Sequence, residues 1–234
     1  MSLLIDRIVA PFYQTNCWVI APSAGEECFI VDPGIELPSM VESIKSKLKE
    51  HHLSLGAILV THGHLDHTFS IFSLTQEFGD SGTYIHDEDR DLLRFPERAL
   101  SQQSLPMFSE LREMFPNTRI DEPEKVYALQ GDERLSMGTM NVQVIHTPGH
   151  TPGSLVFQVD DELLISGDTL FAGSIGRTDL PRGSISDMER SLREKIAPLP
   201  GHLRVLPGHG NETRMERELK ENPYLRQAIT GTLQ

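Results

Sequence analysis

A dense cluster of potential metal ligands lies in the first third of the chain, in the segment Thr61-His62-Gly63-His64-Leu65-Asp66-His67. Four side chains within six residues offer an imidazole nitrogen or a carboxylate oxygen. These donors suit zinc and similar divalent cations. Because the segment lacks the repetitive composition of a histidine-rich surface turn, we interpret it as a metal site.

The apolar run that precedes the cluster, Gly56 to Val60, is short and begins at a glycine, which is typical of a buried strand. The ligand candidates would then lie on the loop that leaves this strand. His51 and His52 instead end a lysine-rich helical stretch. We expect those two side chains to be solvated or to interact favourably with the helix C-terminus.

Three short segments rich in β-branched residues, at 3–12, 17–22 and 28–32, predict an antiparallel meander. Asp32 lies in the turn that closes the third strand. We interpret it either as a turn residue or as a carboxylate that orients the metal-binding loop. The apolar residues between Pro38 and His51 have helical spacing and predict a helix that covers one side of the sheet.

A second helix is predicted from Phe69 to Phe78, followed by a strand from Thr83 to His86, with His86 as a structural residue. Residues 87–125 are acidic and contain four prolines, which predicts an excursion laid over a single domain that spans residues 1–234. The large apolar side chains of this excursion are expected to pack onto the domain or, alternatively, to line a substrate mouth: Phe95, Met107, Phe108, Met114 and Phe115.

The second half of the chain predicts a further β-rich layer. Five strands are expected, at residues 125–129, 133–135, 140–145, 154–159 and 162–165, with hairpin turns at 130–132, 137–139 and 160–161. A helix is expected from Asp187 to Ile196, before a last strand from Arg204 to Leu206.

The length of 234 residues and the hydrophobic content of 38% allow one large domain with a substantial core. The formal net charge of -13 argues against nucleic-acid binding, which normally requires a basic patch. The N-terminal residues predict neither a secretory signal nor a membrane span. Cys17 and Cys28 are expected to be reduced core residues, so the chain is predicted to be cytoplasmic.

Three glycine-containing turns each follow a predicted strand and each offer one further ligand: Thr147-Pro148-Gly149-His150, Ser166-Gly167-Asp168-Thr169 and Pro207-Gly208-His209-Gly210. Proline and glycine fix such turns and let the backbone come close to an ion. Each turn is weak evidence by itself.

Together with the His-x-His-x-Asp-His cluster, these turns resemble the metallo-β-lactamase fold superfamily over nearly the whole chain. The segment from Phe171 to Pro181, which includes Gly176-Arg177-Thr178-Asp179, is similar to the glyoxalase II branch of hydroxyacylglutathione hydrolases. The resemblance implies an α/β protein with an αββα sandwich, in which helices flank two facing mixed sheets and the site lies at one edge.

The same resemblance implies two divalent metal ions, most simply zinc, with iron or manganese as alternatives. It assigns seven ligands: His62, His64 and His150 to one ion, Asp66, His67 and His209 to the other, and Asp168 to both. Asp66 and Asp168 would be the catalytic carboxylates. Two such ions can share one water, lower its pKa and present hydroxide to a thioester carbonyl.

Two features differ from the glyoxalase II enzymes that carry a helical glutathione-binding domain. Only 25 residues follow His209, enough for one short helix and a tail. Those enzymes also have lysine and tyrosine near the bridging aspartate, where this chain has Arg177 and Asp179. We interpret Arg177 either as a bidentate partner of a substrate carboxylate or as a partner of Asp179 that holds the loop. The chain resembles the small single-domain bacterial glyoxalase II-like proteins.

The leading hypothesis is a dinuclear metal hydrolase whose small-molecule substrate is an acylglutathione-type thioester such as S-lactoylglutathione. One alternative is a persulfide dioxygenase with a single iron on His62, His150 and Asp168, and another is a lactone hydrolase. The acidic composition disfavours a nuclease, and the complete ligand set disfavours a scaffold role. The sequence does not indicate an oligomeric state.

Overall fold

The computed structural model describes residues 3–35, 39–79 and 81–234, and its strands form two mixed sheets of six strands each. In spatial order the first sheet contains β1 (Leu4–Val9), β2 (Asn16–Ala21), β3 (Glu27–Val31), β4 (Ser54–Leu59), β5 (Thr83–His86) and β6 (Val126–Leu129). Strands β1 to β3 form the predicted antiparallel meander, whereas β3 to β6 run parallel.

The second sheet is built from the second half of the chain. Its strands, in their order across the sheet, are β7 (Arg134–Met137), β8 (Met140–His146), β9 (Leu155–Val159), β10 (Leu163–Gly167), β11 (Arg204–Pro207) and β12 (Thr213–Arg214). Only the pair β10 and β11 is parallel among these neighbouring strands.

The helices of the described residues are α1 (Met40–His51), α2 (Leu65–Thr68), α3 (Ile71–Phe78), α4 (Leu105–Met114), α5 (Ile185–Ser191), α6 (Met215–Glu221) and α7 (Pro223–Thr230). Helices α1 and α3 pack on the outer side of the first sheet, and α5, α6 and α7 pack on the outer side of the second, whereas α2 and α4 pack on each other in a separate cluster. Two 3-10 helices, Asp87–Leu93 and Pro96–Ala99, precede α4, and a π-helical turn, Leu192–Ile196, extends α5.

The largest side chains fill the space between the two sheets. Side chains alternate along a strand, so Trp18 in β2 faces the second sheet, where it joins Phe157 in one buried cluster. The neighbouring Val19 faces the other way and packs with Ile44 of α1. A third cluster joins the outer side of the second sheet to α5, α6 and α7. The αββα sandwich is therefore confirmed.

Several predicted boundaries differ from the structure. The predicted second helix, Phe69 to Phe78, corresponds to α3, which begins two residues later, at Ile71. The short helix α2 within the metal-binding segment was not predicted. The turn at residues 130–132 is not a hairpin, since it connects β6 of the first sheet to β7 of the second. The predicted helix start at Pro38 lies outside the described residues.

The C-terminal segment contains two short helices, α6 and α7, rather than the single helix and tail predicted from its length. Asn222 ends α6 and begins α7: its side-chain oxygen accepts hydrogen bonds from the backbone N–H groups of Tyr224 and Leu225. Pro223 occupies the first position of α7, where a missing N–H has no cost.

Cys17 and Cys28 are buried and are not joined by a disulfide, as predicted. His51 lies in the last turn of α1, as predicted, where it is partly exposed and its Nε2 atom lies 3.0 Å from Asp6 Oδ2. His52 adopts a left-handed conformation just after α1. Within the described ranges, no helix is both long and apolar enough to cross a lipid bilayer.

Candidate metal centre

The seven predicted ligands converge in the structure. They follow the C-terminal ends of β4, β8, β10 and β11, so both sheets contribute to one centre. Their ligand atoms form three overlapping sets, each with all atoms within 4.8 Å of one another: His62, His64 and His150; His62, His67 and Asp168; Asp66, His67 and His209.

The first set consists of three buried imidazoles. The Nδ1 atom of His64 lies 3.1 Å from His62 Nε2 and 2.8 Å from His150 Nε2. Nitrogens that each bind one zinc ion at about 2 Å lie about 3 Å from one another. The spacing of the three nitrogens therefore matches a shared metal ion.

In His62 and His150, a hydrogen bond at the Nδ1 atom determines which ring nitrogen carries the proton. His150 Nδ1 donates to the backbone carbonyl of Arg177 at 2.7 Å. The Thr61 hydroxyl donates to Asp32 at 2.6 Å and so must accept from His62 Nδ1. Since a neutral imidazole carries one N–H, the Nε2 atoms of His62 and His150 both present lone pairs towards His64.

Asp66, His67 and His209, which we call the second set, combine two histidines with a carboxylate. His67 Nε2 lies 3.2 Å from His209 Nε2 and 3.5 Å from an oxygen of both Asp66 and Asp168. The other Asp168 oxygen lies 3.5 Å from the Nε2 atoms of His150 and His209. Asp168 is thus placed between the two sets, as a bridging ligand would be.

Two buried polar atoms of the centre have no hydrogen-bond partner among the described residues, namely His64 Nε2 and Asp168 Oδ1. An unpartnered buried acceptor is costly unless an ion or water satisfies it. Gly208 provides the space beside this carboxylate, because a Cβ atom there would lie 2.2 Å from Asp168 Oδ1. Converging lone pairs and an unsatisfied oxygen together fit a site for cations.

The electrostatics of the two sets differ. Burial lowers the pKa of His64 to about 3, so its ring is neutral. Burial also opposes protonation of His67, but the carboxylates of Asp66 and Asp168 outweigh it and raise its pKa to about 9. Burial would raise the pKa of Asp168, yet His67 and His209 hold it at about 2. A cation in the second set would replace imidazole protons as the partner of these carboxylates.

Asp32 is both a turn residue and a carboxylate that contacts the metal-binding loop, the two interpretations made from the sequence. Its backbone is left-handed, with φ of 52°, and its buried carboxylate lies 2.9 Å from His67 Nδ1. The same carboxylate accepts from the backbone N–H of Thr61 at 2.8 Å. Asp32 therefore fixes both the orientation of His67 and the start of the loop that carries it.

Asp89 is a second orienting carboxylate, which the sequence analysis missed. It is fully buried and accepts hydrogen bonds from the backbone N–H of Gly63 at 2.8 Å and from Thr151 Oγ1 at 2.6 Å. A third donor is Gly153 N, and a Cβ atom at Gly153 would lie 2.6 Å from Asp89 Cγ. Asp89 thus ties the loop between His62 and His64 to the loop after His150.

The centre opens into a cleft of about 620 Å³, to which Arg177 also contributes. Arg177 forms a bidentate ion pair with Asp179, with N–O distances of 2.8 Å and 2.7 Å, although both side chains are largely exposed. The structure thus shows the loop-holding pair and also places the guanidinium at the cleft. His86 stacks on His146, with ring centroids 4.0 Å apart, and does not line the cleft.

Comparison with known proteins agrees with this geometry. Residues 10–209 match the family model of the metallo-beta-lactamase superfamily. The chain is 33% identical to hydroxyacylglutathione hydrolase GloC of Haemophilus influenzae over 222 residues, which is 94% of this chain and 97% of that protein.

Two solved structures are also similar. The crystal structure of BLEG-1 B3 metallo-beta-lactamase has a TM-score of 0.78 at 33% identity, covering 95% of this chain and 99% of that one. The crystal structure of TTHA1623 in a di-iron-bound form has a TM-score of 0.74 at 29% identity, covering 94% and 99%.

Proposed function

The chain belongs to the metallo-beta-lactamase superfamily, a family of metal-dependent hydrolases, and we propose that it uses two divalent cations to hydrolyse acylglutathione-type thioesters. The observation that carries the proposal is the convergence of three buried imidazoles beside a second set of imidazoles and carboxylates. The similarity to GloC supports the thioester as substrate. The two buried cysteines, which form no disulfide, support a reducing, cytoplasmic environment.

One cation would be held by the three-histidine set and the other by the second set, with Asp168 shared between them: His62, His64 and His150; Asp66, His67 and His209. When bound, two such cations polarise a carbonyl oxygen and lower the pKa of water towards neutrality. Zinc is the ion we propose, and the di-iron form of TTHA1623 keeps iron as an alternative.

The protein's own contribution is to hold these ligands in place. Asp32 and the Arg177 carbonyl fix the rings of His67 and His150 through their Nδ1 atoms, which leaves each Nε2 atom free to bind an ion. Thr15 donates to Asp66 Oδ2 at 3.1 Å and orients that carboxylate. Arg177, at the cleft, is the group we propose for a carboxylate of the glutathione portion.

The test is hydrolysis of S-lactoylglutathione by the zinc-loaded protein under anaerobic conditions, followed by the appearance of free thiol. Thiol release that depends on metal supports the proposal. Failure to cleave any glutathione thioester when two metals are bound per chain would rule it out.

A second candidate is β-lactam hydrolysis, which the similarity to BLEG-1 favours. Turnover of a chromogenic cephalosporin, without turnover of thioesters, would identify this activity instead. Hydrolysis of a lactone in the same assay would indicate the lactone hydrolase alternative.

Oxygen uptake with glutathione persulfide would indicate the persulfide dioxygenase alternative.

A further inference from the structure

The cleft above the metal centre has an apolar side formed by one segment of the chain. Four side chains of residues 100–111 line it, and we refer to them as the apolar wall: Leu100, Met107, Phe108 and Leu111. The same cleft is lined by five of the proposed metal ligands: His64, Asp66, His150, Asp168 and His209. A substrate bond presented to the metal centre therefore lies next to this wall.

The apolar wall is attached to the metal-binding loop by a hydrophobic cluster. Leu111 of α4 packs in one cluster with Leu65 and Phe69, and Phe108 packs against the same cluster. Leu65 lies between the ligands His64 and Asp66. Because the wall and the ligands share this packing, their spacing is set by the fold.

A contact at Tyr13 joins the wall to a second loop. The Tyr13 hydroxyl donates to Met107 Sδ at 3.3 Å, and Tyr13 adopts a left-handed backbone conformation with φ of 59°. Two residues later, Thr15 bonds the ligand Asp66. Tyr13 and Met107 thus join the loop between β1 and β2 to α4 at the cleft.

Outside the metal centre, this cleft has little positive charge. Arg177 is the single lysine or arginine that lines it within residues 3–35, 39–79 and 81–234, and its guanidinium is paired with Asp179. The hydroxyls of Ser101 and Ser104, which also line the cleft, lie 2.9 Å apart and can satisfy each other. The apolar wall itself offers no group to bind a hydroxyl or a carboxylate on the substrate.

We infer that the preferred substrates carry an apolar acyl chain, of about four to six carbons, that lies against the apolar wall while the thiol portion extends towards Arg177. This inference rests on the proposed function and names its acyl group. The single methyl group of a lactoyl group would cover little of the four apolar side chains that form the wall. The hydroxyl of a lactoyl group would also lose water at the wall without gaining a partner.

The first experiment compares S-acyl glutathiones that differ only in the acyl group: lactoyl, acetyl, butanoyl and hexanoyl. We expect kcat/KM to rise by about fourfold for each methylene buried against the wall. S-alkyl glutathione thioethers, which cannot be hydrolysed, should show the same dependence in their inhibition constants. A flat profile, or a preference for lactoyl over hexanoyl, would overturn the inference.

Two lysine variants on α4 test whether the acyl chain lies against the apolar wall. Met107→Lys places a charge in the apolar wall and should flatten the chain-length dependence to less than about twofold per methylene. Met114→Lys is the matched control: Met114 has a similar exposed fraction, 52% against 47% for Met107, but does not line the cleft. Equal effects of the two variants would contradict the assignment.

The outcomes separate this inference from the proposed function. If every thioester is inert while the metal content is complete, the proposed function fails. If thioesters are cleaved at rates that ignore acyl length, the proposed function stands and the inference about the acyl group fails.

Discussion

The Nδ1 atom of His150 lies 2.7 Å from the backbone carbonyl oxygen of Arg177, which joins a proposed metal ligand to the segment that lines the substrate cleft. The backbone of Arg177 orients the histidine, whereas its side chain lies at the cleft beside Asp179. The two functions of this residue can therefore be separated by changing only the side chain.

Arg177→Ala should raise KM for glutathione thioesters by about fivefold and leave kcat nearly unchanged. The reason is that an exposed charge contributes about 1 kcal/mol or less to binding, and the carbonyl that holds His150 is retained. Metal content should equal that of the unchanged protein. Arg217→Ala is the control, because Arg217 is equally exposed and pairs with Glu221 on α6. A fall in kcat or in metal content would show that the side chain does more than bind substrate.

Asp89→Asn should weaken metal binding at the three-histidine set by about 10- to 100-fold, the usual effect of removing a partner of a metal ligand loop. Both carboxylate oxygens of Asp89 accept hydrogen bonds from Gly63, Thr151 and Gly153, whereas an asparagine has only one accepting side-chain atom. The loop between His62 and His64 and the loop after His150 therefore lose part of their connection. The measurement is metal per chain during titration with a chelator.

The control for this variant is Asp91→Asn. Asp91 belongs to the same acidic segment but is only partly buried and pairs with Arg98 and Arg182. If Asp89→Asn and Asp91→Asn retain metal equally well, Asp89 does not orient the ligand loops.

Asp168→Asn should lower turnover by more than about 100-fold while the melting temperature changes by only a few degrees. Asp168 is the carboxylate placed between both ligand sets, so its loss affects both ions. Asp161→Asn, in the exposed turn between β9 and β10, should leave turnover unchanged. Activity within tenfold of the unchanged protein would refute a bridging role for Asp168.

The sequence predicted which proposed ligands would converge better than it predicted the groups that orient them. Adjacent ligands on one loop after a buried strand are visible as a pattern, and the turns at His150, Asp168 and His209 each end a strand in the structure. Asp89 has no such signal. It is one of four acidic residues between Asp87 and Asp91, and only the folded chain shows that Asp89 alone among them is fully buried.

The elements missed by the sequence analysis are those that depend on tertiary contacts. Strand β12 has two residues and exists because Thr213 and Arg214 pair with β11. The break between α2 and α3 is fixed by Ser70, whose backbone N–H and hydroxyl donate to the carbonyls of Pro33 and Gly34. Neither feature produces a periodic pattern long enough to recognise in the sequence.

Both cysteines should be unreactive towards a disulfide reagent in the native protein at pH 8. After unfolding, the chain should consume two equivalents of the reagent, one for each cysteine. Cys17 and Cys28 are buried, and burial raises the pKa of the Cys28 thiol to about 12. The thiol of the unfolded chain ionises near pH 9, so between pH 9 and pH 12 the folded state binds more protons than the unfolded state. The free energy of unfolding should therefore fall as the pH rises above 9. Rapid labelling of native protein would contradict this burial.

The most direct test of the metal hydrolase assignment is metal content measured together with thioester hydrolysis on the same protein. Protein purified without added metal should contain up to two ions per chain, and activity lost on chelation should return as the second ion is added. One iron per chain, no thiol release under anaerobic conditions and oxygen uptake with a persulfide would contradict the account.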